Sequence, residues 1–119
     1  MANKQIIKKQ KQERRKKRIR AKIFGTAQKP RLNVFRSLNH IYAQLIDDQK
    51  GFTVASVKDT EIKEKNLKKS DLAFKIGELI ANKADKLGIK KVVFDKSFYR
   101  YHGRVKAVAE GARKSGLNF

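Results

Sequence analysis

The stretch Val92-Val93-Phe94-Asp95-Lys96-Ser97-Phe98-Tyr99-Arg100-Tyr101-His102-Gly103-Arg104-Val105-Lys106 changes character at Asp95. Its first three residues form an apolar run without polar alternation, the pattern of a strand buried on both faces. From Lys96 onward, Lys96, Arg100, His102, Arg104 and Lys106 interleave with Phe98, Tyr99 and Tyr101. Cations hold phosphates and aromatic faces stack on bases or riboses, so the mixture suits RNA. Gly103 opens an expected helix whose first amide N–H groups lack intrahelical partners and favour an anion. The plain alternative is a strand-to-helix connection with its tyrosines in the core and its cations solvated. For Asp95 two roles stand open. It can fix the loop by accepting backbone N–H bonds or by pairing with Arg100 or Arg104, or it can be an ordinary strand-end turn residue.

Working outward, Arg104 to Lys114 carries Val105, Val108, Ala109 and Ala112 on one helical stripe, and Gly116 closes it. Upstream, Ile89 to Phe94 reads as the fourth strand. Before it, Ser70 is placed to cap a helix in which Leu72, Ile76, Leu79 or Ile80, Lys83 or Ala84, and Leu87 recur near a 3.6 period, ended by Gly88. Lys58 to Lys69 is polar and reads as a surface loop with one helical turn. Three alternating segments precede it, Arg31 to Ser37, Ile41 to Ile46 and Phe52 to Val57, joined by short turns and hence an antiparallel meander. The order is β-β-β-α-β-α. A right-handed helical crossover returns strand four parallel to strand one, which predicts an α/β fold with a mixed sheet of order 3-2-1-4.

The chain has 119 residues, enough for one domain, and 31 Lys and Arg against 11 Asp and Glu give a net charge of +20. Such a surface repels itself and favours a polyanionic partner. No apolar run approaches the roughly 20 residues that span a bilayer, and no segment has the order of a signal peptide, so a cytoplasmic location without membrane attachment is expected. The absence of cysteine excludes disulfides and thiolate metal sites, and His40 and His102 alone are too few for an all-histidine zinc site. No cofactor is expected. Between Lys4 and Lys22 lie eleven cations and one acid, Glu13. Residues 1–24 are therefore expected to be a basic extension, disordered when free and folding on RNA, and residues 25–119 the globular domain. The extension's RNA-binding candidates are Lys8, Lys9, Arg14, Arg15, Lys16, Lys17, Arg18, Arg20 and Lys22, with Arg31 following at the start of the first strand.

Catalysis would have to rest on few acids. A two-metal nuclease needs converging carboxylates, for which Asp47, Asp48 and Asp95 at strand ends are the candidates. Asp47 to Gly51 is better explained as a turn, and no phosphate loop, nucleophile elbow or paired His-Glu motif occurs. The chain reads as a binding protein, not an enzyme.

Arg31-Leu32-Asn33-Val34-Phe35-Arg36-Ser37, His40-Ile41-Tyr42-Ala43-Gln44, Asp47-Asp48, Val93-Phe94-Asp95, Tyr99, and Tyr101-His102-Gly103-Arg104-Val105-Lys106-Ala107 together resemble the bacterial large-subunit ribosomal protein number eighteen family. Gly25-Thr26 before Pro30-Arg31 and the terminal Gly116-Leu117-Asn118-Phe119 fit as well, so the resemblance runs from about Arg18 to Phe119. It implies a ribonuclease-H-like topology without catalytic carboxylates. It also implies a structural protein of the cytoplasmic ribosome, a monomer when free, that binds 5S rRNA and helps attach it to 23S rRNA beside neighbouring large-subunit proteins. The implied RNA-facing positions are Arg36, Ser37, His40, Tyr42 and Gln44 on the meander. On the central loop they are Lys96, Tyr99, Tyr101, His102, Gly103, Arg104 and Lys106, beside Arg100 from the composition of that loop. The family commonly has Arg-Gly-Gly where this chain has Lys96-Ser97-Phe98; lysine lacks the guanidinium fork, and serine lacks glycine's freedom at positive φ. The rival reading, from charge and aromatic content alone, is a general RNA-binding or RNA-chaperone module outside the ribosome.

Overall fold

The computed structural model describes residues 4–64, 66–97 and 99–119. Phe98, one of the loop aromatics, lies outside the described residues. In chain order the elements are α1 (Lys4–Arg20), β1 (Arg31–Arg36), β2 (Ile41–Asp47), β3 (Phe52–Lys58), a 3-10 turn (Asp59–Glu61), α2 (Lys69–Lys86), β4 (Val93–Asp95) and α3 (Gly103–Lys114). The sheet order is β3-β2-β1-β4, antiparallel across the meander and parallel between β1 and β4, as the crossover argument predicts.

Alternation sets the two faces. Leu32, Val34, Ile41, Ala43, Leu45 and Val57 point to one side and are fully or almost fully buried against α2 and α3. Asn33, Phe35, Tyr42, Gln44, Ser56 and Lys58 lie on the other side, which neither of these helices covers. A register shift between Leu45 and Ile46 opposes that pair to Ala55 and Thr53.

Three local expectations are corrected. β4 is three residues long, not the whole of Ile89 to Phe94, and Val93 and Phe94, on the edge strand that the order 3-2-1-4 already implies, are only half-buried. The apolar run is covered differently: Val92 is buried just ahead of β4, and the chain terminus lies alongside, with Val92 N–H donating to the Asn118 carbonyl at 3.2 Å. Ser70 does not cap α2. The helix starts after Lys68, whose extended backbone makes it the N-cap without a side-chain bond, and Ser70 falls in the first turn. Gly88 does end the helix, in a Schellman arrangement with Gly88 N–H on Asp85 O at 3.0 Å and Ile89 N–H on Ala84 O at 2.9 Å.

At the free edge of β3, side chains take the outward backbone groups. Lys58 N–H donates to Glu61 Oε2 at 2.6 Å, Lys83 Nζ donates to the Ser56 carbonyl at 2.8 Å, and the two side chains pair at 2.9 Å. The Glu61 carboxyl is held below its ordinary pKa by the Lys58 amide and by Lys83, against a smaller opposing effect of burial.

α2 and α3 cross at Gly77 and Gly111. A Cβ on Gly77 would lie 2.1 Å from the Val108 carbonyl oxygen, and one on Gly111 would lie 2.1 Å from that of Phe74. Backbones this close leave no flexible atom to move aside. Either Gly77→Ala or Gly111→Ala should therefore cost about 1–3 kcal/mol of stability by overpacking, and thermal unfolding of each variant measures it. A midpoint unchanged in both would show that the helices do not meet backbone to backbone.

Candidate nucleic-acid interface

At one end of the open face, on the side of the sheet that carries Asn33 and Phe35, sits a buried ion-pair cluster. Arg31 grips Asp48 with two bonds, Nε to Oδ2 at 3.0 Å and Nη2 to Oδ1 at 3.1 Å, and its Nη1 donates to Asp95 Oδ2 at 2.6 Å. Asp48 Oδ2 also accepts from Gly25 N–H at 2.7 Å, and Asp48 Oδ1 from Arg20 Nη2 at 3.4 Å. Asp95 accepts from Asn33 Nδ2 at 3.1 Å and, through Oδ1, from Ser97 N–H at 2.8 Å. Arg31 and Asp95 are 4% and 1% exposed.

Several expectations change here. Arg31, a candidate RNA contact, is interior, with its guanidinium occupied by the two acids. Asp95 does fix the loop through a backbone N–H, but its cation is Arg31 and not Arg100 or Arg104. Asp48 and Asp95 do converge, as a nuclease pair would; a guanidinium lies between them, and Asp47 Oδ1 is spent on the turn amides of Gln49 and Lys50 at 3.0 and 3.2 Å. Burial works against the Arg31 charge, yet the hydrogen bonds and attraction of Asp48 and Asp95 prevail and raise its pKa. Asp48 is held below its ordinary 3.8 chiefly by the Arg31 hydrogen bonds, with help from Gly25 N–H and Arg20 against the opposing effect of burial.

The central loop leaves this cluster through Ser97, whose φ of +59° is left-handed. The backbone shape that glycine adopts freely is thus kept by a serine, held by the Asp95 bond to its amide. Tyr99 turns inward: it is 8% exposed, its hydroxyl donates to the Arg36 carbonyl at 2.7 Å, and the Arg36 guanidinium lies 4.9 Å over its ring. Tyr101 packs edge-on against Phe94 at 5.8 Å and accepts from Arg113 Nη1 at 3.0 Å, while Arg113 covers Phe119. Tyr99 thus lies in the core, as the plain reading of the loop anticipated, whereas Tyr101 is tied to the protein but remains 41% exposed. Arg100, His102, Gly103 and Lys106 are exposed, and Lys96 and Arg104 half-buried. Gly103 begins α3 at φ +58°, with His102 as an extended N-cap that makes no side-chain cap bond.

α1 has no buried residue, and of its candidates Lys8, Lys9, Arg14, Arg15, Lys17, Arg18 and Arg20 are exposed while Lys16 is half-buried; Lys22, just beyond it, is exposed too. Its one face turned to the body brings Arg15, Arg18 and Ile19 against Lys96, Tyr99 and Arg100 around a shallow concavity of about 370 Å³. Four cations share it, an arrangement that attracts phosphate. On the open sheet face, Phe35 and Tyr42 stack at 5.8 Å and 12°, and His40 follows Tyr42 at 6.4 Å and 11°, a ladder of near-parallel rings. Tyr42 and Gln44 line a neighbouring hollow with Ser56, Val57 and Lys58. Ser37 and Arg36 stand exposed at the end of β1. Phe35 is the contributor that the alternation alone did not single out, although its cross-strand pairing with Tyr42 and its 47% exposure mark it.

Three stability outcomes follow from the cluster and the loop it holds. Arg31→Met leaves the buried Asp95 without a cation and Asp48 with only the longer Arg20 contact, and should cost about 3–5 kcal/mol, read by denaturant unfolding at neutral pH. Because Asp48 has a folded pKa below its unfolded one, its contribution is complete above 3.8 and is lost as pH falls through the lower folded value. The stability gap between wild type and Asp48→Asn should accordingly close in acid. Ser97→Gly should stabilise the fold by roughly 0.5–1 kcal/mol, since it relieves left-handed strain at some cost in unfolded-chain entropy.

With this geometry in view, comparison with known proteins is informative. The family described as ribosomal L18 of archaea, bacteria, mitochondria and chloroplast matches residues 6–119. Among curated relatives, the large ribosomal subunit protein uL18 of Staphylococcus haemolyticus is 58% identical over 108 residues, 89% of this chain and 90% of the relative. The protein of the same name from a bovine strain of Staphylococcus aureus is 57% identical over the same coverage.

Proposed function

This chain belongs to the ribosomal L18 family of the large ribosomal subunit, and from that premise we propose that it binds 5S rRNA and helps attach it to 23S rRNA. Its part in the cytoplasmic ribosome is structural, not enzymatic. The observation that carries the proposal is the pairing of two surfaces: the His40–Tyr42–Phe35 ladder on the open sheet face offers stacking, and the Arg15–Arg18–Lys96–Arg100 concavity between α1 and the central loop offers charge. RNA-binding proteins combine these two elements, with stacking supplying shape preference and cations supplying affinity.

In this reading Arg36, Ser37, His40, Tyr42 and Gln44 meet one part of the RNA, and Lys96, Arg100, His102, Gly103, Arg104 and Lys106 another. Arg31 and Tyr99 serve from inside by holding the backbone beneath them. Residues 1–24 form an extension that is disordered in the free monomer and takes up the α1 helix against RNA, where Arg15 and Arg18 close on Lys96 and Arg100, since a helix without a buried residue has little but propensity to sustain it. Neighbouring large-subunit proteins are further partners.

Three measurements test this. Purified protein should prefer 5S rRNA over an unrelated structured RNA of equal length at both low and moderate salt; equal binding would favour a general RNA-binding module. If the extension neutralises about six phosphates, affinity should fall roughly a thousandfold between 50 and 200 mM salt. Removing Met1 to Lys22 should flatten that slope, keep the preference and leave the unfolding midpoint nearly unchanged. A truncated protein that retains the slope but loses discrimination would put recognition in the extension. Finally, Arg104→Ala should weaken binding more than Lys11→Ala, by about 1.5–3 kcal/mol for a charge-assisted bond in a preformed site.

A further inference from the structure

We propose that Asp59 is a positioning residue of the RNA interface, fixing the proton of His40 on Nδ1 so that Nε2 meets a ribose 2′-hydroxyl of the RNA as a hydrogen-bond acceptor. This rests on the RNA-binding reading of the open sheet face. Asp59 belongs to no part of the sequence pattern; it opens the 3-10 turn that follows β3.

His40 Nδ1 lies 2.9 Å from Asp59 Oδ2. A carboxylate only accepts, so the hydrogen of that contact belongs to the imidazole, and the bond at one ring nitrogen sets the state of the other. Nε2 of the neutral ring is then a bare acceptor. Phosphate oxygens offer it no hydrogen, whereas the 2′-hydroxyl does, and that group distinguishes RNA from DNA.

The partners differ sharply in burial: the Asp59 side chain is 9% exposed and that of His40 51%. Asp59 Oδ1 is buried and has no hydrogen-bond partner among the described residues. A carboxylate oxygen in that condition lowers stability, so packing does not account for an acid here. The backbone that carries the ring is also fixed. His40 N–H donates to Ser37 Oγ at 3.2 Å, its carbonyl accepts from Ser37 N–H at 2.8 Å, and Lys69 Nζ donates to the Leu38 carbonyl at 3.0 Å. Tyr42 stacks beneath the ring. The imidazole is thus preset in position, plane and proton location before RNA arrives.

Full-length protein with Asp59→Ala, His40→Ala, both changes, or Asp59→Asn would be titrated with 5S rRNA, and the His40 ring nitrogens followed by ¹⁵N NMR. The expected results are a proton on Nδ1 in wild type, its move to Nε2 in Asp59→Ala, and about tenfold weaker RNA binding in that variant. The unfolding midpoint should not fall. The double variant should bind no worse than His40→Ala, and Asp59→Asn, whose carbonyl still accepts, should recover part of the affinity. Asp59→Ala that weakens binding equally with and without His40, or that leaves tautomer or affinity as in wild type, would overturn the proposal. Failure of wild type to prefer 5S rRNA would instead overturn the underlying functional reading, while the tautomer comparison would still judge the Asp59–His40 coupling.

Discussion

One guanidinium, that of Arg31, links the β2–β3 turn, the start of β1 and the end of β4. Through Asp48 it ties the β2–β3 turn to the backbone at Gly25 and to Arg20 at the end of α1. Through Asp95 it ties β1 to β4 and, by way of Ser97, to the loop that follows. A buried pair of this kind contributes little net energy compared with apolar packing, but a broken one is costly. Its effect is therefore one of specification: the sheet closes in one register, and the loop leaves it in one direction.

The open sheet face follows from an asymmetry. Both C-terminal helices bury their small and branched side chains against the same side of the sheet, so four strands have one face packed and one face available. The available face is built from alternate residues of the same strands, which is why the rings of His40, just ahead of β2, and Tyr42 within it are two residues apart, and Tyr42 and Phe35 lie opposite one another across β1 and β2. A rigid core thereby sets the spacing of the groups offered to the ligand.

Much of this was legible in the sequence, for physical reasons that can be named. Strand alternation and the helical stripe report burial directly, so the meander, both C-terminal helices and the strand order emerge from the pattern. The length of β4 does not, because an apolar run reports burial but not backbone pairing, and Val92 is buried beside the strand without belonging to it. The cation at Arg31 looks like any other in a chain of +20 charge. Its acids lie 17 and 64 residues away, with no period to reveal them. The inward turn of Tyr99 was equally hidden, because an aromatic residue suits a core and a base alike. Asp59 gave no signal, since one acid in a polar loop resembles its neighbours until the fold sets it beside His40.

The plug on the outer edge of β3 matters most when the ligand is absent. Between synthesis and assembly, a four-stranded sheet offers any second copy a template on which to add strands, and repetition of that step leads to fibrils. Mutual repulsion at +20 opposes it, but repulsion fades as salt rises. The carboxylate of Glu61 and the ammonium of Lys83 act at contact distance on the Lys58 amide and the Ser56 carbonyl, where screening is weak. A protein made for a polyanion thus carries, on the rim away from the loop, a short-range guard against its own polymerisation that outlasts the loss of its charge repulsion.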